Sequence, residues 1–243
     1  MFCLSACSGT SYAMLKNALH WIPLKYSYLL IDMLKMLSFN AKTKENDIKI
    51  DCFHSFIRKE EVKADKSGFQ KLCKSGCKNY NKKYSCPPFS PSFDDISSEY
   101  DGLFVLMFKC DLDQINSTEY NKVRIANVVM KSRIDRLMRN LESRFSTTFL
   151  STGSCRLCRP CRCRLKLPCE HPDKRRYSLE AVGVDCDTLS RKLFNTGLLW
   201  YNKGKSPEYT CVICGLFCNA SDVKNIQGWI ENNFHNCGHF ISL

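Results

Sequence analysis

Four cysteines in one short segment carry the clearest chemistry in this sequence. Cys155, Cys158, Cys161 and Cys169 follow the pattern C-x2-C-x2-C-x7-C, and Pro172 comes three residues after the last of them. Two residues between successive cysteines let a tight loop direct three sulfurs at neighbouring iron atoms, and the fourth ligand often comes from further along the chain, before a proline. The spacing therefore predicts an iron–sulfur cluster, of the [4Fe–4S] type, held by these four thiolates.

Zinc is the alternative metal for this segment. Structural zinc sites usually combine two separated C-x2-C pairs, and a single zinc ion cannot easily take all three thiolates of one short run. Cys163 is an extra thiol that could replace Cys161 in the ligand set. Four arginines lie within residues 156–164. They could offset the negative charge of a thiolate-bound cluster, or they could form an ordinary solvent-exposed basic loop.

A second cysteine group precedes this segment. Cys73, Cys77 and Cys86 follow the pattern C-x3-C-x8-C, and two prolines come directly after Cys86 and end any regular element there. A C-x3-C pair can lie on one face of a helical turn. These three thiolates could hold a second cluster with one open iron, where a small ligand could bind, or zinc together with Cys52 or His54.

Two further groups are weaker candidates for chemistry. Cys211 and Cys214 lie in a strand-like segment, where side chains three residues apart point to opposite faces, so we expect these thiols to point apart even with Cys237 and His239 nearby in the sequence. A candidate polar site follows the cluster segment. Its members could bind a substrate or move protons beside the metal, or could simply cap a short helix. These residues are Arg176, Ser178 and Glu180.

The elements that would position these residues indicate an α/β fold. Residues 103–108 form a continuous apolar run that predicts a buried strand, and a long helix follows, for which Asn116 and Glu119 suggest a capping box. A second strand over 145–150 would complete a βαβ unit and deliver the chain to the cluster loop. Further along we expect a short helix from Ser178 to Val182, a helix over 187–194, strands over 198–201 and 209–217, and an amphipathic segment around Trp229.

The predicted architecture is one compact α/β domain, with α+β as the alternative. It would contain a mixed sheet, a long helix and a cysteine-rich metal-binding loop. We assign residues 1–40 to an N-terminal extension, residues 41–217 to the metal-binding domain and residues 218–243 to a C-terminal tail.

Composition supports metal binding over a disulfide framework. The 243 residues are 44% hydrophobic, which is enough to build a core without covalent links, yet there are 17 cysteines. Clustered thiols of this kind are typical of a reducing compartment, so we expect a cytoplasmic protein. No uncharged apolar stretch is long enough to cross a membrane, and no signal peptide is recognisable. Phosphate-binding glycine loops and the zinc-peptidase H-E-x-x-H pattern are missing from the sequence.

The net charge of +12 is concentrated around the two cysteine groups. A basic surface of this kind could face solvent, offset an anionic cluster, or bind an acidic partner such as nucleic acid. Aromatic residues do not alternate with the basic ones, which weakens the case for stacking on single-stranded nucleic acid.

The order of these motifs resembles a known family of predicted metal-binding proteins, the domain of unknown function 2284, found widely in anaerobic bacteria and archaea. The matching segments are CKSGC at 73–77, YSCPP at 84–88, GSCRLCRPC at 153–161, PCEHP at 168–172 and RYSLEAVGVD at 176–185. The resemblance covers residues from about 50 to about 217. It implies metal binding through both cysteine groups, with an iron–sulfur centre, but it implies no particular reaction. Where the family usually has an apolar strand, this chain has CVICGLF at 211–217.

Three functions remain open at this point. The cluster could pass single electrons to a redox partner protein, or the chain could be an enzyme whose second cluster has an open iron that handles sulfur or another small ligand. The third alternative is a zinc-bearing module that binds nucleic acid through its basic surface.

Overall fold

A five-stranded sheet forms the centre of the computed structural model, which describes residues 36–234. The strand order is β1-β2-β3-β5-β4, and each neighbouring pair is antiparallel. The predicted N-terminal extension lies outside the described residues up to residue 35, as do Cys237 and His239. The strands are β1 (Leu37–Lys42), β2 (Asp47–Arg58), β3 (Gly102–Asp111), β4 (Phe149–Leu150) and β5 (Tyr209–Cys218).

Helices cover both faces of this sheet. Their ranges are α1 (Lys66–Gly76), α2 (Phe93–Ser97), α3 (Glu119–Phe145), α4 (Cys186–Phe194) and α5 (Val223–Asn233), with short 3-10 turns over 59–61, 162–165, 180–182 and 220–222. Buried residues of α3 and α5 share one core with one face of the sheet, and those of α2 and α4 share a second core with the other face. The predicted α/β class with a long helix is confirmed. None of the helices in residues 36–234 is both long and apolar enough to cross a membrane.

Alternation along β3 explains why its sequence is apolar from Leu103 to Phe108. Phe104, Leu106 and Phe108 enter the first core, whereas Leu103 and Val105 enter the second. Side chains of a strand alternate between faces, and both faces here are covered, so nearly every position favours an apolar residue. The predicted buried strand over 103–108 is therefore present, and it is longer than expected.

The β3–α3–β4 connection has the predicted element order, but the two strands are not neighbours. Strand β5 lies between them and pairs antiparallel with both, so β3 and β4 run in the same direction on either side of it. All four pairings between the five strands are therefore antiparallel, where a mixed sheet was expected. Strand β5 is buried from Val212 to Cys218 and suits a central position, whereas β4 has two residues and lies at the edge.

Three local predictions need correction. Asn116 does not cap α3, which begins at Glu119 after Thr118; the Asn116 N–H donates to Asn46 Oδ1 at 3.0 Å, and the Glu119 carboxylate accepts the Ser206 N–H at 3.1 Å. These long-range partners replace the local capping box.

The other two corrections concern strands. The predicted strand over 145–150 contains only the two residues of β4, because Phe145 still belongs to α3 and Ser146 ends that helix in the left-handed conformation. Residues 198–201 form no strand at all. The Leu198 N–H donates to Asp187 Oδ1 at 2.7 Å instead of to a neighbouring strand. The division of the chain at residues 40 and 217 stays a prediction, although β1 crosses the first boundary.

Candidate metal centre

The four cysteines of the predicted cluster segment surround one small cavity. Cys155, Cys158, Cys161 and Cys169 all line it and all are half-buried. Between β4 and the 3-10 turn over 180–182, the only regular element is the short turn at 162–165. Few residues of this loop are apolar enough to anchor it, so its conformation depends on polar contacts with the neighbouring segment.

That neighbouring segment contains Cys86, and hydrogen bonds join it to the start of the loop. The Cys155 N–H donates to Ser85 Oγ at 2.9 Å, and the Lys83 ammonium donates to the Cys155 carbonyl at 2.7 Å and to Ser154 Oγ at 3.1 Å. Further along, the Tyr84 hydroxyl donates to the Leu167 carbonyl at 2.6 Å. The two cysteine groups, separate in sequence, therefore meet in the fold.

The first cysteine group is arranged around the end of α1. Cys73 lies in the last turns of this helix, and the Cys77 N–H donates to the Cys73 carbonyl at 3.0 Å where the helix ends. Burial raises the pKa of the Cys86 thiol to about 11; the Ser85 hydroxyl and the Lys83 ammonium oppose this, and the thiols of Cys73 and Cys155 add to it. Cys86 is thus close to both groups.

The spacing of ligand atoms distinguishes a cluster from a single ion. In residues 36–234, one set of three ligand atoms lies within 4.8 Å of one another, and it belongs to Cys158, Glu170 and His171. The four cysteines do not approach one another that closely as a set. Sulfurs that share one tetrahedral zinc lie about 4 Å apart, given Zn–S bonds of about 2.3 Å. In an iron–sulfur cube each sulfur binds a different iron, so a wider spacing fits a cluster.

Glu170 and His171 are ligand-type residues that the sequence analysis missed. They follow Cys169 directly, so the PCEHP segment already contained the signal. Partial burial, followed by the nearby Glu170 carboxylate and the thiols of Cys161, Cys155 and Cys169, raises the pKa of Cys158. A cation bound beside Cys158 would offset these acidic groups and favour its thiolate form.

Arg175 provides an independent test of whether the cavity fits an anionic centre. Its guanidinium lies 5.9 Å from the Tyr84 ring centre and 5.4 Å from that of Tyr177, and the side chain lines the cavity. Its Nε is buried and has no hydrogen-bond partner in the described structure. A buried N–H without a partner is costly, and an anionic sulfur in the cavity would satisfy it. The donor set and the orphaned N–H therefore both fit a negatively charged thiolate-bound metal.

Comparison with protein families agrees with this geometry. A family model described as "Predicted metal-binding protein (DUF2284)" matches residues 55–216, which is 162 of 243 residues. The chain belongs to this family. No curated protein and no solved structure gives a significant match to it. The matched range contains both cysteine groups, the cavity and the three residues of the predicted polar site, so metal binding is the activity that this DUF2284 chain shares with its family.

The three residues of the predicted polar site do not converge on one point. Arg176 forms an ion pair with Glu142 of α3, and its side chain lines a second cavity. Ser178 Oγ accepts the Ala181 N–H at 3.2 Å and so caps the turn over 180–182, as the structural interpretation expected. Glu180 faces a third cavity. In this DUF2284 chain the three polar residues therefore lie at two different cavities and a turn beside the metal loop.

The other described cysteines of the sheet and the loop lie outside the cavity. Cys163 is buried on another side of the loop, with Tyr84 and Phe89, so it does not take the position of Cys161. Cys214 is in the first core and Cys211 packs against the second, so the two thiols point apart as predicted. The other alternative ligands are also in the sheet: Cys52 belongs to the first core, and His54 is buried and stacks on Phe104, with ring centres 5.5 Å apart.

Proposed function

We propose that this protein is a redox protein that carries a [4Fe–4S] cluster on Cys155, Cys158, Cys161 and Cys169. The observation that supports it most strongly is that all four thiols line one cavity, which Arg175 also lines. When bound, such a cluster accepts and donates single electrons.

The protein's own contribution would be to adjust how readily the cluster is reduced. Arg175 is placed to donate its free Nε–H to a cysteine sulfur, and Lys83 fixes the start of the loop through the Cys155 carbonyl. Cations and N–H donors near a thiolate-bound cluster favour its more negative, reduced state. Substitution of Arg175 by an apolar residue would then lower the reduction potential.

A second cluster with an open iron is the candidate that the first cysteine group supports. Cys73 and Cys155 both lie close enough to Cys86 to raise the pKa of its thiol. In a reducing cytoplasm Cys77 would be a thiol and could join Cys73 and Cys86 as the third ligand. Three thiolates would leave one iron free to bind sulfide or another small ligand, which is the enzymatic alternative.

The surface around the loop suits an acidic redox partner. Leu157, Leu165 and Leu167 are 38%, 60% and 40% exposed, which is unusual for three leucines of one loop. The basic side chains of the same loop, Arg156, Arg159, Arg164 and Lys166, are exposed among them. Apolar contacts within a ring of one charge favour a transient, electrostatically steered complex.

Metal analysis of protein purified without oxygen tests the proposal. We expect a brown protein with about four iron atoms and about four acid-labile sulfides per cluster, and a paramagnetic signal after reduction. Cys158→Ala should remove the cluster or leave a three-iron remnant, and Cys211→Ala is the matched control that should retain it. Stoichiometric zinc without sulfide would overturn the iron–sulfur assignment and favour the zinc module.

A further inference from the structure

A cleft with one apolar and one cationic end lies beside the metal loop. One face of α3 forms its first wall: Tyr120, Val123, Asn127 and Lys131 are spaced by three or four residues and line the same cavity. Residues 198–201 form the opposite wall, and β5 closes the floor. The apolar end is therefore built from three separate elements.

Three aromatic side chains are exposed at the mouth of this cleft, and the packing of the fold does not require that exposure. Trp200 and Tyr201 are 49% and 38% exposed, and Tyr120, with which Tyr201 makes an edge-to-face contact at 5.6 Å, is 48% exposed. Aromatic side chains bury a large apolar area when a ligand covers them. Three of them at one opening indicate an apolar ligand of aromatic size.

The other end of the cleft is polar and positively charged. Lys131 and Thr152 line this cavity and also the neighbouring one, which continues along residues 151–157 to Cys155. Burial lowers the pKa of the Lys131 ammonium, and the nearby Glu180 carboxylate opposes that effect. The cationic side chains that line the two cavities are Arg124, Lys131, Arg139, Arg156 and Arg176. Arg139 is paired with Asp135 and Arg176 with Glu142, so Arg124, Lys131 and Arg156 face the single carboxylate of Glu180, which leaves a net charge of +2.

We propose that this cleft binds a small organic acid, with its apolar ring between Trp200 and the wall of α3 and its carboxylate at Lys131. The surplus of cations along the two cavities favours an anion over a neutral or cationic molecule, because three carboxylates cannot neutralise five cations. The apolar walls and the few polar groups at one end match the usual composition of small-molecule sites. The acid group would lie on the side of the cleft that leads to Cys155.

Calorimetric titration of the anaerobically purified protein with 2-naphthoate and with its neutral analogue 2-naphthylmethanol tests the proposal. The naphthoate should bind about tenfold more tightly or better, since a charge-assisted hydrogen bond contributes that much affinity. Equal affinities, or no binding of either compound at millimolar concentration, would overturn it. The result does not depend on which metal the loop holds, because the metal content is constant across the titrations.

Three variants separate the two ends of the cleft. Lys131→Met should abolish the preference for the anion, and Lys131→Arg should keep it. Trp200→Ala should lower the affinity for both compounds by the same factor. Arg144→Met, which removes an exposed cation near the end of the same helix and outside both cavities, should change neither affinity. If Lys131→Met unfolds, as a thermal melt would show, the comparison of Lys131→Gln with the wild type replaces it. Retention of the anion preference in the folded variant would contradict the proposal.

Discussion

Cysteines of the loop and cysteines of the sheet are the same residue in opposite surroundings. The loop thiols are half-buried beside other acidic groups and an arginine, with a cavity between them. Burial among apolar side chains raises the pKa of Cys110, Cys211 and Cys218 to about 12 and keeps these sheet thiols neutral. A metal ligand must be a thiolate that the ion can reach. The surroundings of a cysteine, more than its spacing, thus decide whether it can ligate.

Alkylation should give the largest difference between the two sets. In reduced, metal-free protein at pH 8, burial and a pKa near 12 keep Cys211 and Cys218 almost entirely in the thiol form, so iodoacetamide should label them much more slowly than the half-buried loop cysteines. Timed quenching and peptide mass spectrometry would measure the rates. Similar labelling rates for the loop cysteines and the sheet cysteines in folded protein would contradict the difference in their surroundings. Labelling in denaturant is the control.

The next largest difference between loop and sheet cysteines should be in the metal content of their alanine variants. Cys158→Ala should reduce the iron from about four atoms per cluster to three or fewer, because the cluster loses one of its thiolate ligands. Cys214→Ala removes a thiol that is fully buried in the first core and should leave iron and sulfide unchanged. Colorimetric iron and sulfide assays on both variants provide the comparison. A loss of iron in Cys214→Ala without loss of folded protein would place the sheet thiols in the metal site.

The free energy of unfolding should depend more on the sheet cysteines than on the loop cysteines, which is the reverse of the order expected for labelling and metal content. Cys214→Ser places a hydroxyl in an apolar core and should lower the free energy of unfolding by about 1–3 kcal/mol. The same change at Cys158 in metal-free protein should cost less than about 0.5 kcal/mol, because that side chain is partly exposed. Urea denaturation followed by circular dichroism measures both. Equal losses would show that the loop contributes to the core.

The smallest expected difference is in how much folding stability is lost at alkaline pH. The pKa of Cys211 is raised in the folded state to about 12 from an ordinary value near 9, so its neutral form favours folding below pH 9. Between pH 8 and pH 10 the unfolded chain ionises this thiol and the folded chain does not, which lowers stability by about 1 kcal/mol. Cys211→Ala should therefore lose less stability than the wild type over this range. Parallel slopes for the two proteins would contradict the assigned pKa.

The sequence predicted those parts of the fold that depend on local pattern. The apolar run of β3, the helical spacing of α3 and the alternation that separates Cys211 from Cys214 follow directly from side-chain periodicity. The four cysteines of the loop were also recognisable, because their spacing is short. Each of these features involves residues that are close in the chain.

Features that depend on distant partners could not be read from the sequence. Asn116 looks like a helix cap until Asn46 supplies the acceptor for its N–H, and residues 198–201 look like a strand until Asp187 binds the Leu198 N–H. The approach of Cys86 to the loop rests on Ser85, 70 positions away from Cys155. The insertion of β5 between β3 and β4 is of the same kind.

That insertion gives the sheet an order of assembly during synthesis. Strand β5 is the last of the described strands to be made, and it joins β3 by pairs from Asp111–Tyr209, 98 positions apart, to Gly102–Cys218, 116 positions apart. A chain made from its N-terminus therefore exposes the whole cysteine loop to solvent while one edge of its most apolar strand is still open. The loop cysteines are synthesised, and can meet metal, before β5 pairs with β3 and completes the sheet. The protein is therefore most vulnerable to oxidation and to aggregation during synthesis.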